Sequence, residues 1–480
     1  MVITTTRSTA GLNPMAKISV REKVAYSFGD IGTNIVYAPA TSFFLFYLTS
    51  VAGIGAAIAG TILLVGQLLN GVTDLIVGAL VDKTNTRWGK MRPWILWSTA
   101  PMMLFFVLMF NVPGGFDETG RIIWAFISYT LVMSVFFTAS NVAYNALVSV
   151  ITANPKTRVV LSTFRFFAAI ATTLLISYIT IPLVDALGGG QQGWGRTTVI
   201  YGVIGLVTLM TVFFGTKERV VAAPEDRSDR IPLRVLLKQL FANKYFLLSG
   251  GMFLGFHLIS SLTSGVGIYY ATNVLGDASL FGTITLATLL PPLVGIALMP
   301  ALLGRLGKRN AFLIGLALQI VGSVIVIVNP TDFTIVLIGL LVRGVGSVPF
   351  AAGMVAMVAD VVDYGEWKFG ARIDGLTYSA VAFGQKVGSG VGGAAVGWVL
   401  AAGDYQSLAT EQPESAVAAI QAAFVWLPLI LIVLTAVVVY FLDVEKYRAP
   451  IQEFLAIRRG AAAEAVAEAE GDEKSTDPIA

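Results

Sequence analysis

Long apolar runs separated by short polar breaks fill the chain from about residue 24 to residue 442. The stretches 122–155, 245–276, 278–304, 310–331 and 415–442 contain no Asp, Glu, Lys or Arg. Each is long enough to cross a bilayer, which takes roughly 20 apolar residues as a helix. The runs are continuous rather than alternating, unlike the strands of a membrane β-barrel, so helices are the remaining way to satisfy every backbone group in lipid. The pattern predicts helices at 24–49, 54–82, 92–112, 121–150, 160–185, 197–215, 245–273, 278–304, 310–328, 333–362, 373–402 and 417–442. The longest polar break between them, 216–244, separates a first six-helix half at 24–215 from a second at 245–442. Segments 1–23 and 443–480 lie outside both.

The halves echo each other. Arg87-Trp88-Gly89-Lys90 follows the second helix and Arg305-Leu306-Gly307-Lys308 follows the eighth, while Tyr47-Leu48-Thr49-Ser50-Val51 in the first is matched by Tyr270-Ala271-Thr272-Asn273-Val274 in the seventh. Repeated halves of this kind resemble the major facilitator architecture, an all-α membrane fold of 12 transmembrane helices in which two bundles rock about a site near the midplane.

Composition narrows the chemistry. At 56% hydrophobic and 13% charged residues, the chain is far more apolar than a soluble domain. With no cysteine, disulfides, thiolate metal sites and cysteine nucleophiles are excluded. The sole histidine, His257, cannot build a metal site alone and reads as a helix contact. Gly388-Ser389-Gly390-Val391-Gly392-Gly393 fits G-x-G-x-x-G, but no strand precedes it, so it reads as close helix packing rather than a nucleotide site. No signal peptide, resident cofactor, metal or nucleic-acid partner is expected. Of the 32 Lys and Arg, Arg121 and Arg196 fall at the outer side, Arg165, Arg343 and Lys386 fall inside helices, and all the others share one side. The positive-inside rule makes that side the cytosol, which places both termini and the 216–244 loop inside a cell (inner) membrane.

Charges within membrane helices are costly and are functional candidates by default. Asp74 lies about 12 Å from the cytosolic end of its helix, at 1.5 Å per residue, and Asp30 is at similar depth. Each has an amide four residues away on the same face, Asn70 before Asp74 and Asn34 after Asp30. Such groups can coordinate Na⁺ or carry a proton, or else pair with a neighbouring helix. Asn141, Tyr144 and Asn145 share the fourth helix, the two amides on one face. They suit sugar hydroxyls and a pyranose face, or else hydrogen bonds between helices. Lys386, about 20 Å from the cytosolic end of the eleventh helix, lies near the midplane with Arg343, and Arg165 is shallower. Such cations either bind an acidic substrate or neutralise Asp30 and Asp74 in the empty carrier, and Arg343 reads as structural.

Further phrases carry a family resemblance: Tyr26-Ser27-Phe28-Gly29-Asp30, Asn85-Thr86-Arg87-Trp88-Gly89-Lys90-Met91-Arg92-Pro93 and Asp363-Tyr364-Gly365-Glu366. They resemble the glycoside-pentoside-hexuronide:cation symporters, the family of the melibiose permease, over about residues 21–442. The W-G-K-x-R-P and D-Y-G-E motifs together are specific. The resemblance implies a sugar or glycoside substrate and a cation-coupled cycle. By the permease pattern, cation-site acids fall at Asn70 and Asp74 with a hydroxyl at Thr138. Sugar-binding acids fall at Asn34 and Asn141, a tryptophan at Asn145, and basic residues at Arg165 and Lys386. Amides therefore replace one cation-site acid and both sugar-binding acids. The glucuronide-carrier branch is nearer in motifs, sharing the Y-S-x-G-D start, amides at Asn34 and Asn141, and a phrase like Arg372-Ile373-Asp374-Gly375-Leu376-Thr377-Tyr378-Ser379. That branch keeps an acid where Asn70 stands.

The expected function is import of a sugar or glycoside, a glucuronide among the candidates, coupled to H⁺ or Na⁺. Asp74, Asp30, Asn70 and Thr138 would serve the cation, and Asn34, Asn141, Tyr144, Asn145, Arg165 and Lys386 the substrate. The rivals are an uncoupled facilitator on the same scaffold, a lipid-moving carrier, and a membrane enzyme on lipid-linked sugar. The last usually needs a polar catalytic loop or metal-ligand cluster, and none is visible. Topology is directly testable because any introduced cysteine is unique. In Ser228→Cys, an impermeant thiol reagent applied to intact cells is expected to leave the protein unlabelled, and labelling from outside would refute the orientation.

Overall fold

The computed structural model describes Met15 and residues 18–220, 233–370, 373–409 and 411–457. Expectations for 1–14, 16–17, the 221–232 part of the central loop, Arg372 and the tail beyond 457 lie outside them. The described elements are α1 (Val20–Ser42), α2 (Phe44–Ser50), α3 (Ala56–Lys83), α4 (Arg92–Met109), α5 (Glu118–Thr130), α6 (Thr138–Ile151), α7 (Pro155–Ala186) and α8 (Gly190–Gly215). The chain continues with α9 (Leu233–Ala242), α10 (Lys244–Asn273), α11 (Leu280–Gly295), α12 (Met299–Leu306), α13 (Lys308–Val328), α14 (Phe333–Phe369), α15 (Asp374–Ala402), α16 (Glu414–Gln421) and α17 (Leu427–Tyr440). Ten helical runs are long and apolar enough to cross a bilayer, or 11 with the α1–α2 pair counted as one span. The 29-residue α15 has the length but is diluted by glycines and Lys386, and with it the arrangement is consistent with 12 passes.

Two expected single helices are interrupted. The first bends by 46° between α1 and α2, at Phe43, one turn beyond Pro39, which has no N–H to give the preceding turn. The eighth is broken by a 3₁₀ turn, Ile296–Leu298, after Pro291 and Pro292. The fourth stays continuous but passes through a π-helical turn, Leu131–Phe137, between α5 and α6.

The sequence echo between the halves has a common physical basis. Glu218, past the end of α8, accepts the backbone N–H groups of Lys90, Met91 and Arg92 at 2.7, 2.9 and 2.9 Å, capping the positive end of α4. Glu445, past the end of α17, accepts those of Lys308 and Arg309 at 2.9 and 3.1 Å and caps α13. Arg92 then reaches back to the Phe213 carbonyl of α8 at 2.5 Å, and Arg309 to the Tyr440 carbonyl of α17 at the same distance. Each half is thus tied by one acid and one arginine at the end carrying the basic loops.

Core packing is lopsided. One continuous apolar cluster runs through the first half and takes in Val266, Tyr269, Tyr270, Phe281, Val396 and Phe424 of the second. At the other end, the second half has its own cluster, built on Phe246, Phe312, Phe350, Val361 and Tyr364. The shared core lies away from the basic loops, and several polar contacts between the halves lie there. Ser42 meets Ser264 at 2.9 Å, Thr49 meets Tyr269 at 2.7 Å, Ser50 meets Tyr405 at 3.0 Å, and Ser407 donates to the Ile54 carbonyl at 3.1 Å.

The glycine-rich run of α15 serves packing. A Cβ at Gly388 or Gly392 would stand 2.5 Å from the carbonyl oxygens of Leu254 and Leu258 in α10. On the opposite side of the helix, one at Gly397 would stand 2.3 Å from the Ala56 oxygen in α3. Gly397→Val is therefore expected to hold α3 and α15 apart at the joined end. In a Ser50→Cys background, thiol labelling from the outer side should become faster, and an unchanged rate would show that the close approach is not needed for closure.

Candidate functional site

Two charged clusters lie within the spans, one inside the first half and one between the halves. In the first, Asp30 of α1 and Arg165 of α7 form a two-pronged ion pair, Nε to Oδ2 at 2.7 Å and Nη2 to Oδ1 at 3.3 Å. Tyr144 of α6 donates its hydroxyl to Asp30 Oδ2 at 2.6 Å, and the Arg165 guanidinium lies 4.2 Å from the centre of the Tyr144 ring. Arg165 also donates to Asn145 Oδ1 at 2.7 Å, and the Asn145 amide donates to Asn141 Oδ1 at 2.6 Å. Asn34 is held by its own helix, donating to the Asp30 carbonyl at 2.8 Å and accepting from Thr173 at 3.4 Å. Tyr144 is buried, Asn34 and Asn141 are half-buried, and Asn145 is exposed. The Asp30–Arg165 pair is a sealed base from which a row of amides extends outward.

In the second cluster, Lys386 of α15 reaches across to α3. Its ammonium contacts Asp74 Oδ2 and Asn70 Oδ1, with the Asn70 carbonyl at 3.3 Å. The Asn70 amide donates to the Met133 carbonyl at 2.8 Å, and Thr138 reaches the same carbonyl at 3.3 Å and Asn70 Oδ1 at 3.4 Å. Met133 lies in the π-helical turn, where the looser ladder leaves a carbonyl open to side chains, a distortion common at functional sites. Asp74 keeps 34% of its side chain exposed, against 12% for Asp30, so Asp74 is the more accessible of the two carboxylates.

All ten residues singled out from sequence fall in these clusters, but the geometry groups them differently. Asp30 stands with Arg165, Tyr144 and the amides rather than with Asp74, and Lys386 stands in the oxygen set of Asp74, Asn70 and Thr138. Sequence reasoning missed three participants. Tyr26 accepts from Arg165 through its hydroxyl at 3.2 Å, and its carbonyl lies 2.8 Å from the Tyr144 hydroxyl. Its spacing of four residues before Asp30 was a usable signal. Thr173 and the Met133 carbonyl carried none. His257 lies among rings, with Phe253 and Phe256 centroids at 6.3 and 5.4 Å.

The MFS/sugar transport protein family matches residues 25–446, nearly the whole helical region. The chain belongs to that family. The isoprimeverose transporter of Lactiplantibacillus pentosus is 35% identical to this family member over 433 residues, covering 88% of this chain and 89% of the other. The glucuronide carrier protein homolog of Escherichia coli (strain K12) is 31% identical, covering 88% and 93%. A crystal structure of a D-xylose-proton symporter shares the fold at a TM-score of 0.62 and 14% identity, covering 88% and 97%. The chain is thus a multi-pass membrane transporter of the sugar-symporter type, not an enzyme, as its motifs implied.

The ion pair in the first cluster sets a stability expectation. Removing one partner of a buried pair costs about 3–5 kcal/mol because the other is left uncompensated. Asp30→Asn should lower the thermal unfolding temperature in detergent more than Asp30→Asn combined with Arg165→Gln. Simple additivity of the two losses would show the pair to be uncoupled.

Proposed function

We propose that this protein carries a sugar or glycoside across the cell's inner membrane together with H⁺ or Na⁺, by alternating access, with Asp74 as the coupling acid. The observation that carries the reading is the place of Lys386. A fixed ammonium from one half sits among oxygens of Asp74 and Asn70 on the other, where a mobile cation would be held. A cation arriving at Asp74, Asn70 and Thr138 competes with Lys386 and releases the bridge between α3 and α15. Transport of the ion and rearrangement of the halves are thereby joined in one exchange of partners. Asn34, Asn141, Tyr144 and Asn145 supply hydrogen bonds and an aromatic ring for sugar hydroxyls. Asn141 gives the network only its oxygen among the described residues, which leaves its amide hydrogens for a ligand.

With the basic loops in the cytosol, the joined core and the Ser42–Ser264 and Thr49–Tyr269 contacts are at the outer end, and this conformation opens inward. Both termini are cytosolic on this reading, and the two halves, 24–215 and 245–442, rock about the clusters. Arg165 and Lys386 each face a carboxylate already, which favours hydroxyl recognition at the amides over a charge-based hold by these two residues.

Uptake of a panel of labelled glycosides into proteoliposomes, with proton and sodium gradients imposed separately, tests the proposal and identifies the ion. Asp74→Asn should lose accumulation against a gradient while retaining exchange of substrate. A variant that still concentrates substrate as the wild type does would overturn the assignment, and uptake indifferent to both gradients would favour an uncoupled facilitator.

A further inference from the structure

The second half holds a charge that neither cluster uses. Arg343 lies roughly 15 Å along α14 from its start, at 1.5 Å per residue, well inside the span. It is 7% exposed, and a guanidinium keeps its charge in proteins. Its hydrogen bond is to a neutral hydroxyl, Nη2 to Thr263 Oγ1 of α10 at 3.3 Å. Among the described residues no carboxylate pairs with it, whereas Arg165 and Lys386 each have one. The stem is wedged against α13, where a Cβ at Gly322 would stand 2.7 Å from Arg343 Cγ, so the side chain runs from that seam toward α10.

Thr263 stands at a boundary. Leu262 and Val266 of α10 are buried in the apolar cluster shared by the halves, while Ser260 is exposed and Ser264 meets Ser42 of the other half at 2.9 Å. The guanidinium is therefore one hydroxyl away from the space between the halves, at the closed end of the inward opening. A buried, unpaired charge costs far more than one long bond to a hydroxyl returns. A cation held there without a resident anion is accounted for by an anion that comes and goes.

We propose that Arg343 is a specificity-determining residue that receives a carboxylate carried by the transported glycoside, entering past Thr263. The inference rests on the glycoside-carrier reading above and moves recognition of acid from Arg165 and Lys386, which are neutralised, to Arg343, a buried cation with which no carboxylate pairs among the described residues. A bidentate carboxylate would use the fork of donors that Thr263 leaves idle.

The test is competition in proteoliposomes between methyl β-D-glucuronide and methyl β-D-glucoside against whichever labelled glycoside of the panel is transported. Wild type should prefer the acid by on the order of 10- to 100-fold, the span of a hydrogen bond to a charged group. Arg343→Gln should bring the two affinities together without weakening the glucoside, and Arg343→Lys should fall between, because an ammonium lacks the planar fork. Equal affinities in the wild type would overturn the proposal without recourse to any variant. So would an Arg343→Gln loss equal for both compounds, which marks a structural role. Transport of no glycoside at all would overturn the carrier reading and this inference together, whereas glycoside transport without preference for acid overturns this one alone.

Discussion

A charge within a bilayer is costly unless it stands beside its opposite, and that constraint organises the centre of this protein. Asp30 and Arg165 satisfy each other inside one half, so their pair is a fixed part of the first bundle. Asp74 and Lys386 satisfy each other across the halves, so their pair exists only while α3 and α15 are close. The same rule thus yields a permanent brace in one place and a breakable bridge in the other. The exposures of the two acids differ accordingly, 12% for the Asp30 side chain and 34% for that of Asp74.

Around this centre the two halves are fastened in matching ways. Glu218 and Glu445 each gather the first backbone N–H groups of a helix, and Arg92 and Arg309 each return to a terminal carbonyl. Such ties act within a half. They keep each bundle rigid while leaving its relation to the other bundle to side chains that can separate.

Much of this fold is legible in the sequence, because lipid writes its demands as length and charge. Uninterrupted apolar runs mark the spans, and the repeated Gly-Lys phrases after the second and eighth helices mark the duplicated ties. The membership of the site is also legible, since polar residues in apolar helices stand out one by one. Its partnerships are not. Asp30 and Arg165 are 135 positions apart, and whether they meet depends on the rotation of α1 against α7, which hydropathy does not encode. The π-helical turn that presents the Met133 carbonyl has no signature in Leu131–Phe137, and the bend after Ser42 follows Pro39 by several residues. Arg343 is a case where pattern alone pointed to structure and only the lack of a carboxylate pairing with it among the described residues raised another use.

Beside the shared apolar core, the polar contacts that seal the halves come from hydroxyl groups: Ser42, Ser264, Thr49, Tyr269, Ser50, Tyr405 and Ser407 contribute, and none is ionised. When such a seal parts, water takes up each hydroxyl, and a neutral hydrogen bond exchanged for one to water is worth only about 1 kcal/mol. The polar part of the gate therefore adds little preference of its own. Polar contacts of this kind latch without locking, so the hold of the closed end falls to its apolar packing and to the bridge between α3 and α15.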